Sequence, residues 1–268
     1  MPNMNTAILF ELPLVSASSK AEEEKIAKIL STWDRAIEVT EKLIRNNQQQ
    51  KKSLMQQLLT GKKRLPGFSG EWKKKALSTI ADIVMGSSPK SINYNNLEQG
   101  LPLLQGNADI KNRLSAPRVY TSQITKECLV DDILLSVRAP VGEISRSIHH
   151  ACIGRGIAAI RAKEGTLQNY LYQWLLQFEP KWARLSQGST FEAVNSNDIK
   201  TLHIDFPQKE EQQKIASVLS AADREIETLQ QKLEYLKQEK KALMQQLLTG
   251  KRRVKIDEDD IPQKAVAK

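Results

Sequence analysis

The chain has 268 residues, 40% of them apolar, which suits one sizeable globular domain plus extended elements, or two small domains. Lys and Arg outnumber Asp and Glu by 40 to 31, and the resulting net charge of +9 favours a polyanionic partner. Two cysteines exclude a disulfide framework, and no apolar run approaches the roughly 20 residues of a membrane span, so we expect a cytoplasmic protein with no membrane partner.

The first predicted element is a long helix. Residues 1–19 form an N-terminal segment, and apolar residues then recur at heptad spacing through residues 20–65. Ser19 and Glu22 have capping-box spacing, and Gly61 suits the position just after a helix end. The seam positions that we assign to the helix interface are Ile26, Leu30, Trp33, Ile37, Ile44, Leu54 and Leu58.

Residues 66–206, called the inserted domain below, have a different pattern. The heptads stop, and Gly and Pro divide the chain into short apolar stretches. The stretches 133–137, 144–148 and 157–160 predict strands, and 167–178 predicts an amphipathic helix. The inserted domain is therefore predicted to be α+β, a twisted β-sheet with short helices whose loops are available for binding.

The second predicted helix, residues 207–252, repeats the first. Residues 213–252 match residues 24–63 without a gap at an offset of 189, with 21 of 40 positions identical. Its seam positions are Ile215, Leu219, Ile226, Leu229, Leu233, Leu236, Leu243 and Leu247. Because a compact insert has its ends close together, the two helices are predicted to form an antiparallel coiled coil, alone or within a larger helix bundle. The helices and the inserted domain together give an α+β fold.

Charged residues interrupt both seams at one equivalent position. Lys51 and Lys240 are related by the same offset, and a charge in a seam weakens packing but fixes register and partner. The remaining residues, 253–268, form an acidic tail that we expect to be disordered.

We find no catalytic or metal-binding motif in the sequence. The G-x-G-x-x-A pattern at 154–159 precedes a strand-like stretch, whereas a dinucleotide site needs a helix there. Cys128, His149, His150 and Cys152 match no zinc-ligand spacing, so we expect no metal and assign the cysteines to the core. His203 is predicted to be packed. The sequence thus predicts a protein that is not itself an enzyme.

Four segments, in chain order, resemble the specificity subunits of type I restriction–modification systems. They are Trp72–Pro89 as the opening of a target-recognition domain, Asp132–Gly142 as its central strand and turn, Gly188–Thr190 with Asn197–Ile199 and Ile204–Pro207 as its exit, and Glu211–Ala216 as the start of a helical repeat. Members of this family alternate recognition domains with helical repeats, and they usually carry two recognition domains. This chain has one, so it resembles the C-terminal half of such a subunit.

The resemblance implies a DNA-recognition subunit that reads one half-site of double-stranded DNA. Its helices are then expected to dock modification (methyltransferase) subunits, which bring S-adenosylmethionine, so that this chain needs no cofactor of its own. The resemblance leaves open whether a restriction subunit, the motor and nuclease, also joins. Since bipartite recognition needs two reading domains, we expect two copies to form a homodimer with a twofold axis.

The loops of the inserted domain supply the candidate DNA-binding residues. Gln105 and Asn107 suit bidentate contacts to adenine, and Arg138 and Arg155 suit guanine. The complete set is Ser87, Ser88, Lys90, Asn93, Tyr94, Gln105, Asn107, Lys111, Arg113, Arg138, Arg155, Gln187, Ser189 and Thr190. The alternative is a coiled-coil interaction or scaffold protein whose inserted domain binds another protein.

Overall fold

The two repeated segments form two long helices in the computed structural model, which describes residues 17–186 and 193–256. Helix α1 spans Lys20–Leu58 and helix α5 spans Lys209–Leu247, 39 residues each, or about 58 Å at 1.5 Å per residue. At the start of α1 the Ser19 hydroxyl accepts a hydrogen bond from the Glu22 backbone N–H at 3.2 Å. This bond satisfies one of the donors that a helix N-terminus leaves unpaired.

Both helices end in the same way. Gly61 and Gly250 adopt φ values of +69° and +70°, the left-handed conformation that glycine enters without strain. The Lys63 N–H then donates to the Gln57 carbonyl at 3.1 Å, and the equivalent pair after α5 lies 3.0 Å apart. These bonds satisfy carbonyls that a helix C-terminus leaves unpaired, so the repeated sequence specifies the stop as well as the helix.

The chain divides into two compact units. Among the described residues, the first consists of residues 17–49 and 224–256, and the second of residues 50–186 and 193–223. In the first unit α1 and α5 run antiparallel, because Asp34 contacts Lys240 at 2.5 Å while Glu41 contacts Lys237 at 3.0 Å. This pairing confirms the predicted antiparallel arrangement of the two repeats.

The predicted seam positions are all buried or half-buried within their own units. In the first unit the most enclosed are Ile26, Ile44, Ile226 and Leu247. In the second unit Leu58, Ile215 and Leu219 belong to the main hydrophobic core. The remaining seam positions, Leu30, Trp33, Ile37, Leu54, Leu229, Leu233, Leu236 and Leu243, are half-buried. Burial of a 3–4 stripe is what the heptad pattern requires.

The seam lysines both form ion pairs with aspartates of the opposite helix. Lys51 contacts Asp223 at 2.5 Å in the second unit, as Lys240 contacts Asp34 in the first. An offset of 189 converts either pair into the other, so the repeat places an equivalent ion pair in each unit. The Asp223 carboxylate also accepts a hydrogen bond from the Gln173 amide at 2.7 Å. The lysines therefore set the register within one chain.

A buried carboxylate holds each pair of helix ends together. In the second unit Glu211 accepts two hydrogen bonds from Arg64, at 2.6 and 2.7 Å, and one from the Trp72 indole at 3.0 Å. In the first unit Glu22 accepts two from Arg253, at 2.7 and 2.6 Å. Arg253 and the Ser18 hydroxyl lower the pKa of Glu22 to about 2. The two clasps are again related by the offset of 189.

The inserted domain contains thirteen strands and three short or medium helices among the described residues. The strands are β1 Lys73–Ala76, β2 Ala81–Met85, β3 Tyr94–Asn95, β4 Leu101–Leu104, β5 Ile110–Lys111, β6 Leu114–Ser115, β7 Val119–Thr121, β8 Glu127–Cys128, β9 Ile133–Ser136, β10 Ile144–Arg146, β11 Ala151–Ile153, β12 Ile157–Ala162 and β13 His203–Phe206. The helices are α2 Leu77–Ile80, α3 Gln168–Ser186 and α4 Ser196–Lys200.

These strands form three sheets. A six-stranded sheet has the order β2-β12-β9-β10-β6-β5, a five-stranded sheet has the order β3-β7-β4-β11-β8, and β1 pairs with β13. Alternate residues of β9 enter two cores: Ile133 and Leu135 pack in the larger, and Leu134 in the smaller. Alternation with a period of two places neighbouring side chains on opposite faces of a strand. The central sheet is thus covered on both faces.

The predicted elements of the inserted domain agree with the structure in type, with small differences at their ends. The three predicted strands are β9, β10 and β12, and the predicted amphipathic helix is α3, which continues to Ser186. The G-x-G-x-x-A pattern leads into strand β12, as expected. The prediction for His203 is wrong, because its side chain is exposed. On β13 the alternation buries Ile204 and Phe206 instead.

One pair of equivalent leucines has different surroundings in the two units. Leu59 is 1% exposed in the core of the second unit, whereas Leu248, its equivalent in the first unit, is 48% exposed. In the first unit Leu248 lines an open groove of about 350 Å³ with Ile26, Leu30 and Leu247. The same leucine of the repeated sequence is therefore buried in one unit and exposed to solvent in the other.

We predict that the two Lys–Asp pairs differ in strength. Asp223→Ala leaves the ammonium of Lys51, a side chain only 12% exposed, without its partner, so the free energy of unfolding should fall by about 1–3 kcal/mol. Asp34→Ala should cost less than about 1 kcal/mol, because Asp34 is 60% exposed. Urea unfolding of the full chain measures both values. An equal loss in the two variants would contradict this ranking.

Candidate nucleic-acid interface

A polar cleft of about 300 Å³ opens in the inserted domain where several strands end. Its lining includes Ser88, Gln105, Asn107, Arg138, Arg155 and Gly156. Ser88 follows β2, Gln105 follows β4, Arg138 follows β9, and Arg155 lies between β11 and β12. Five of the residues predicted from the sequence therefore meet at one site.

Backbone hydrogen bonds hold these strand ends together. Ser87 N–H donates to the Ile153 carbonyl at 2.9 Å, and Gly154 N–H donates to the Leu104 carbonyl at 2.8 Å. The Arg155 N–H donates to the Ser88 hydroxyl at 3.1 Å, so that Arg155 is fixed by the cleft itself. The side chains at this site are thus mounted on a rigid frame rather than on free loops.

Glycine is required where the chain segments approach most closely. A Cβ atom on Gly156 would lie 2.2 Å from the Gln105 carbonyl oxygen, and one on Gly86 would lie 2.1 Å from the Gly154 carbonyl oxygen. Neither backbone oxygen can move away cheaply. The second glycine of the G-x-G pattern therefore lets the chain carrying Arg155 pack against the loop that carries Gln105.

Arg138 and Arg155 differ from the other arginines of the inserted domain. Both side chains are exposed, and neither makes an ion pair with any described residue. The other arginines of the domain with described side chains are all paired with carboxylates, Arg113 with Glu179, Arg118 with Asp109, Arg146 with Asp131 and Arg161 with Asp132. The two guanidinium groups at the cleft thus keep their donors available for a bound molecule.

The loop that carries the candidate residues Lys90, Asn93 and Tyr94 is held in place by Gln123, which is not among the predicted residues. The Gln123 side-chain oxygen accepts hydrogen bonds from the Lys90 N–H at 2.9 Å and from the Asn93 amide at 2.8 Å. The Tyr94 hydroxyl donates to the Pro89 carbonyl at 3.1 Å. Asn93 and Tyr94 therefore shape the loop, and the exposed Lys90 side chain remains available. Nothing in the local sequence indicates the role of Gln123, because it acts across 30 residues.

The loop that carries Gln105 and Asn107 depends on a buried aspartate, Asp109, which is also not among the predicted residues. Asp109 is 2% exposed and accepts hydrogen bonds from the Gln105 N–H at 2.8 Å and from Arg118 at 2.9 Å. The Asn107 amide donates to the Glu143 carboxylate. A short 3-10 helix, Asn107–Asp109, completes the loop. Gln105 thus stands on a fixed backbone with its own side chain exposed.

The remaining predicted residues lie apart from the cleft or outside the described residues. Lys111 is exposed on β5. Arg113 is held by Glu179 at 2.7 Å and by the Ile144 carbonyl at 2.7 Å, which leaves it less free than Arg138. Gln187, Ser189 and Thr190 belong to the segment 187–192, which lies outside the described residues, as does most of the acidic tail.

Within the described residues there is no cluster of three or more His, Cys, Asp and Glu side chains that could hold a metal ion. Cys128 and Cys152 are buried, and burial raises the pKa of the Cys128 thiol. His149 contacts the Ser115 hydroxyl at 2.7 Å, while His150 contacts Glu127 at 2.6 Å. Among the described helices, none is both long enough and apolar enough to span a bilayer.

Comparisons with known proteins agree with this architecture. Residues 69–238 match the type I restriction modification DNA specificity domain. This match covers more than half of the chain. The chain belongs to the type I restriction–modification specificity family. The match runs from the start of the inserted domain well into α5, so it includes every strand of the six-stranded sheet and the whole cleft.

Individual relatives of the family are longer than this chain. The putative type I restriction enzyme MjaX specificity subunit of Methanocaldococcus jannaschii is 36% identical over 246 residues, which cover 87% of this chain and 58% of the relative. The HsdS subunit from Thermoanaerobacter tengcongensis superposes with a TM-score of 0.64 at 26% identity, over 85% of this chain and 57% of that one. The S subunit from M. genitalium shares the fold, with a TM-score of 0.67 at 16% identity over 92% and 66%. This chain therefore spans about three fifths of these relatives.

We predict that the close approach at Gly156 is needed for stability. Gly156→Ala should lower the free energy of unfolding by about 1–3 kcal/mol, because the added Cβ must displace the Gln105 backbone. Gly106 lines the same cleft, but an added Cβ there would have nothing within 4 Å, and its φ of 176° is extended. Gly106→Ala should therefore change the free energy of unfolding by less than about 0.5 kcal/mol. Urea unfolding of the two variants tests the contrast. An unchanged free energy of unfolding in Gly156→Ala would contradict the prediction, because it would mean that the Gln105 loop moves aside without cost.

Proposed function

We propose that this chain is a non-catalytic, sequence-specific DNA-recognition subunit of a type I restriction–modification complex. The proposal rests on Arg138 and Arg155, which form no ion pair with any described residue and line a polar cleft together with Gln105. The relatives are named as specificity subunits, which supports the same conclusion. A scaffold whose inserted domain binds another protein is not favoured, because nothing in the family match supports it.

The side chains at the cleft suit the major groove of double-stranded DNA. Arginine donates two hydrogen bonds to the O6 and N7 acceptors of guanine, and glutamine or asparagine pairs in the same way with adenine. Arg138 and Arg155 therefore favour guanine, and Gln105 favours adenine. The Ser88 hydroxyl, which already accepts from the Arg155 N–H, has its own hydrogen to donate to an acceptor.

Exposed lysines suit the phosphate backbone. Lys90 and Lys111 have exposed side chains with no ion pair among the described residues. Phosphate contacts fix the orientation of a protein on DNA, and their formation releases condensed cations. The net charge of +9 adds a general attraction. Binding by this chain should therefore weaken as the salt concentration rises.

The chemistry of methylation would belong to partner subunits. We infer that the helices dock modification subunits, that S-adenosylmethionine binds to those subunits, and that the complex works in the cytoplasm. A restriction subunit joins where the system includes one. The names of the relatives support these inferences, and so do the two long helices, whose outer faces include exposed apolar residues such as Val39 and Leu43 in the first unit.

We predict that Arg138→Ala and Arg155→Ala each weaken binding of the specific site about 5- to 150-fold, the effect of losing one bidentate base contact. Fluorescence anisotropy on the complex with modification subunits, at several salt concentrations, measures the loss. Arg45→Ala removes the same charge from the exposed face of α1 and should leave affinity within about twofold. Unchanged binding and an unchanged methylation pattern in both cleft variants would refute their assignment.

We also propose that the chain works as a homodimer. Bipartite recognition needs two reading domains, and a twofold axis would supply the second from a second copy. The open groove and the exposed Tyr235 of the first unit leave apolar surface for that contact. The seam lysines are already engaged within the chain, so they do not support a role between copies.

A symmetric pair must read identical half-sites in opposite orientation. We therefore predict an interrupted palindrome as the target, with a spacer that changes when both helices lose one heptad and half-sites that do not. Light scattering gives the number of copies in the complex with modification subunits, and sequencing of methylated DNA gives the site. A strictly 1:1 complex that methylates a non-palindromic site would end the homodimer proposal.

A further inference from the structure

One carboxylate lies at the rim of the basic cleft. Glu143 occupies the turn between β9 and β10, its side chain is exposed, and it accepts a hydrogen bond from the cleft residue Asn107. Neither Arg138 nor Arg155 forms an ion pair with it, and no other described cation does. Glu143 therefore lies beside the cleft residue Asn107 and is not neutralised by either arginine of the cleft.

The turn that carries Glu143 is rigid. The Glu143 carbonyl accepts from the Ser136 N–H at 2.9 Å, and the Gly142 N–H donates to the Ser136 carbonyl at 2.8 Å. A Cβ on Gly142 would lie 2.4 Å from the Trp182 Cβ, so the turn packs directly on α3. The backbone of Glu143 is thus as firmly placed as that of Arg155.

A carboxylate at this place opposes the binding of DNA phosphates. Two like charges repel over several ångströms, so an unpaired glutamate lowers affinity unless it accepts a hydrogen bond from the DNA itself. Base edges in the major groove offer two amino groups as donors, N4 of cytosine and N6 of adenine. In adenine the neighbouring N7 is an acceptor, which repels a carboxylate, whereas cytosine has no acceptor beside N4 in the groove. Cytosine is therefore the base that suits Glu143.

We propose that Glu143 is a specificity-determining residue that reads a cytosine through its N4 amino group. Asn107 holds the carboxylate in place and leaves its remaining lone pairs for the base. With Arg138 or Arg155 on guanine, the cleft reads at least one G·C pair. This inference rests on the proposed function, since it requires the cleft to face DNA.

The test compares the methylated sequence motif of the full chain assembled with its modification subunit, in wild type and in Glu143→Gln. The glutamine keeps an acceptor for Asn107, and it adds a donor that pairs with adenine N7. At one position where the wild-type complex requires cytosine, the Glu143→Gln complex should accept either cytosine or adenine. Discrimination against adenine at that position should fall about 5- to 150-fold. All other positions should stay unchanged.

Glu164→Gln is the matched control. Glu164 is exposed in the turn that follows β12, and the six residues of that strand, about 20 Å at 3.3 Å per residue, separate it from the cleft. Its substitution removes the same charge from the same domain. The control should leave the motif and the extent of methylation as in the wild type, and a motif change in both variants would overturn the inference.

A structural role for Glu143 gives a different result. If Glu143 only positions Asn107, then Glu143→Gln keeps the wild-type motif, and Asn107→Ala has the same effect as Glu143→Ala. That outcome overturns the inference, as does a uniform loss of methylation at every site in Glu143→Gln. If the wild-type complex neither binds nor methylates DNA, the proposed function fails first, and this inference fails with it.

Discussion

The structure depends on the register between α1 and α5. Heptad leucines and isoleucines alone fit each other in more than one alignment, because their spacing repeats every seven residues. A lysine in each seam removes this freedom, since its ammonium group must reach one particular aspartate. The two pairs are equivalent under the offset of 189, and so are the two buried glutamate clasps. One duplicated sequence thus fixes the alignment at two places in the same chain.

Duplication of the sequence does not duplicate the environment. The second unit covers Leu59 with the core of the inserted domain, whereas Leu248 in the first unit lines an open groove. Apolar surface left in water is unfavourable by roughly 25 cal/mol per Å², so such a groove favours a partner. The proposed function needs such a partner, because a single reading domain covers only one half of a bipartite site. The asymmetry of the two units is therefore consistent with assembly into a larger complex.

The glycines of the G-x-G-x-x-A pattern at 154–159 have a steric role in the cleft. Gly154 and Gly156 flank Arg155, and their lack of side chains lets the chain approach Gln105 and Ser88 closely. Close approach makes the frame rigid, and a rigid frame reduces the entropy lost when Arg155 meets a base edge. The ion pairs elsewhere in the domain explain why, among its arginines with described side chains, Arg138 and Arg155 alone remain available. They engage the arginines that the fold uses for its own stability and leave Arg138 and Arg155 for a partner.

The sequence by itself determined the helices, their ends, their antiparallel pairing and the α+β class of the inserted domain. These follow from periodicity, from glycines after helix ends and from an internal repeat. The first two are read from neighbouring residues, and the third from a comparison of one part of the sequence with another. It also indicated Arg138, Arg155, Gln105 and Asn107, because their side chains can form bidentate contacts with base edges. Only the tertiary structure decided that these residues meet, that Gln123 and Asp109 hold their loops, and that Glu143 joins them. Each of those contacts depends on strand order in three sheets, and pairing between distant strands leaves no regular pattern along the chain. The same reason explains the error at His203, because which face of an edge strand is covered depends on what packs against it.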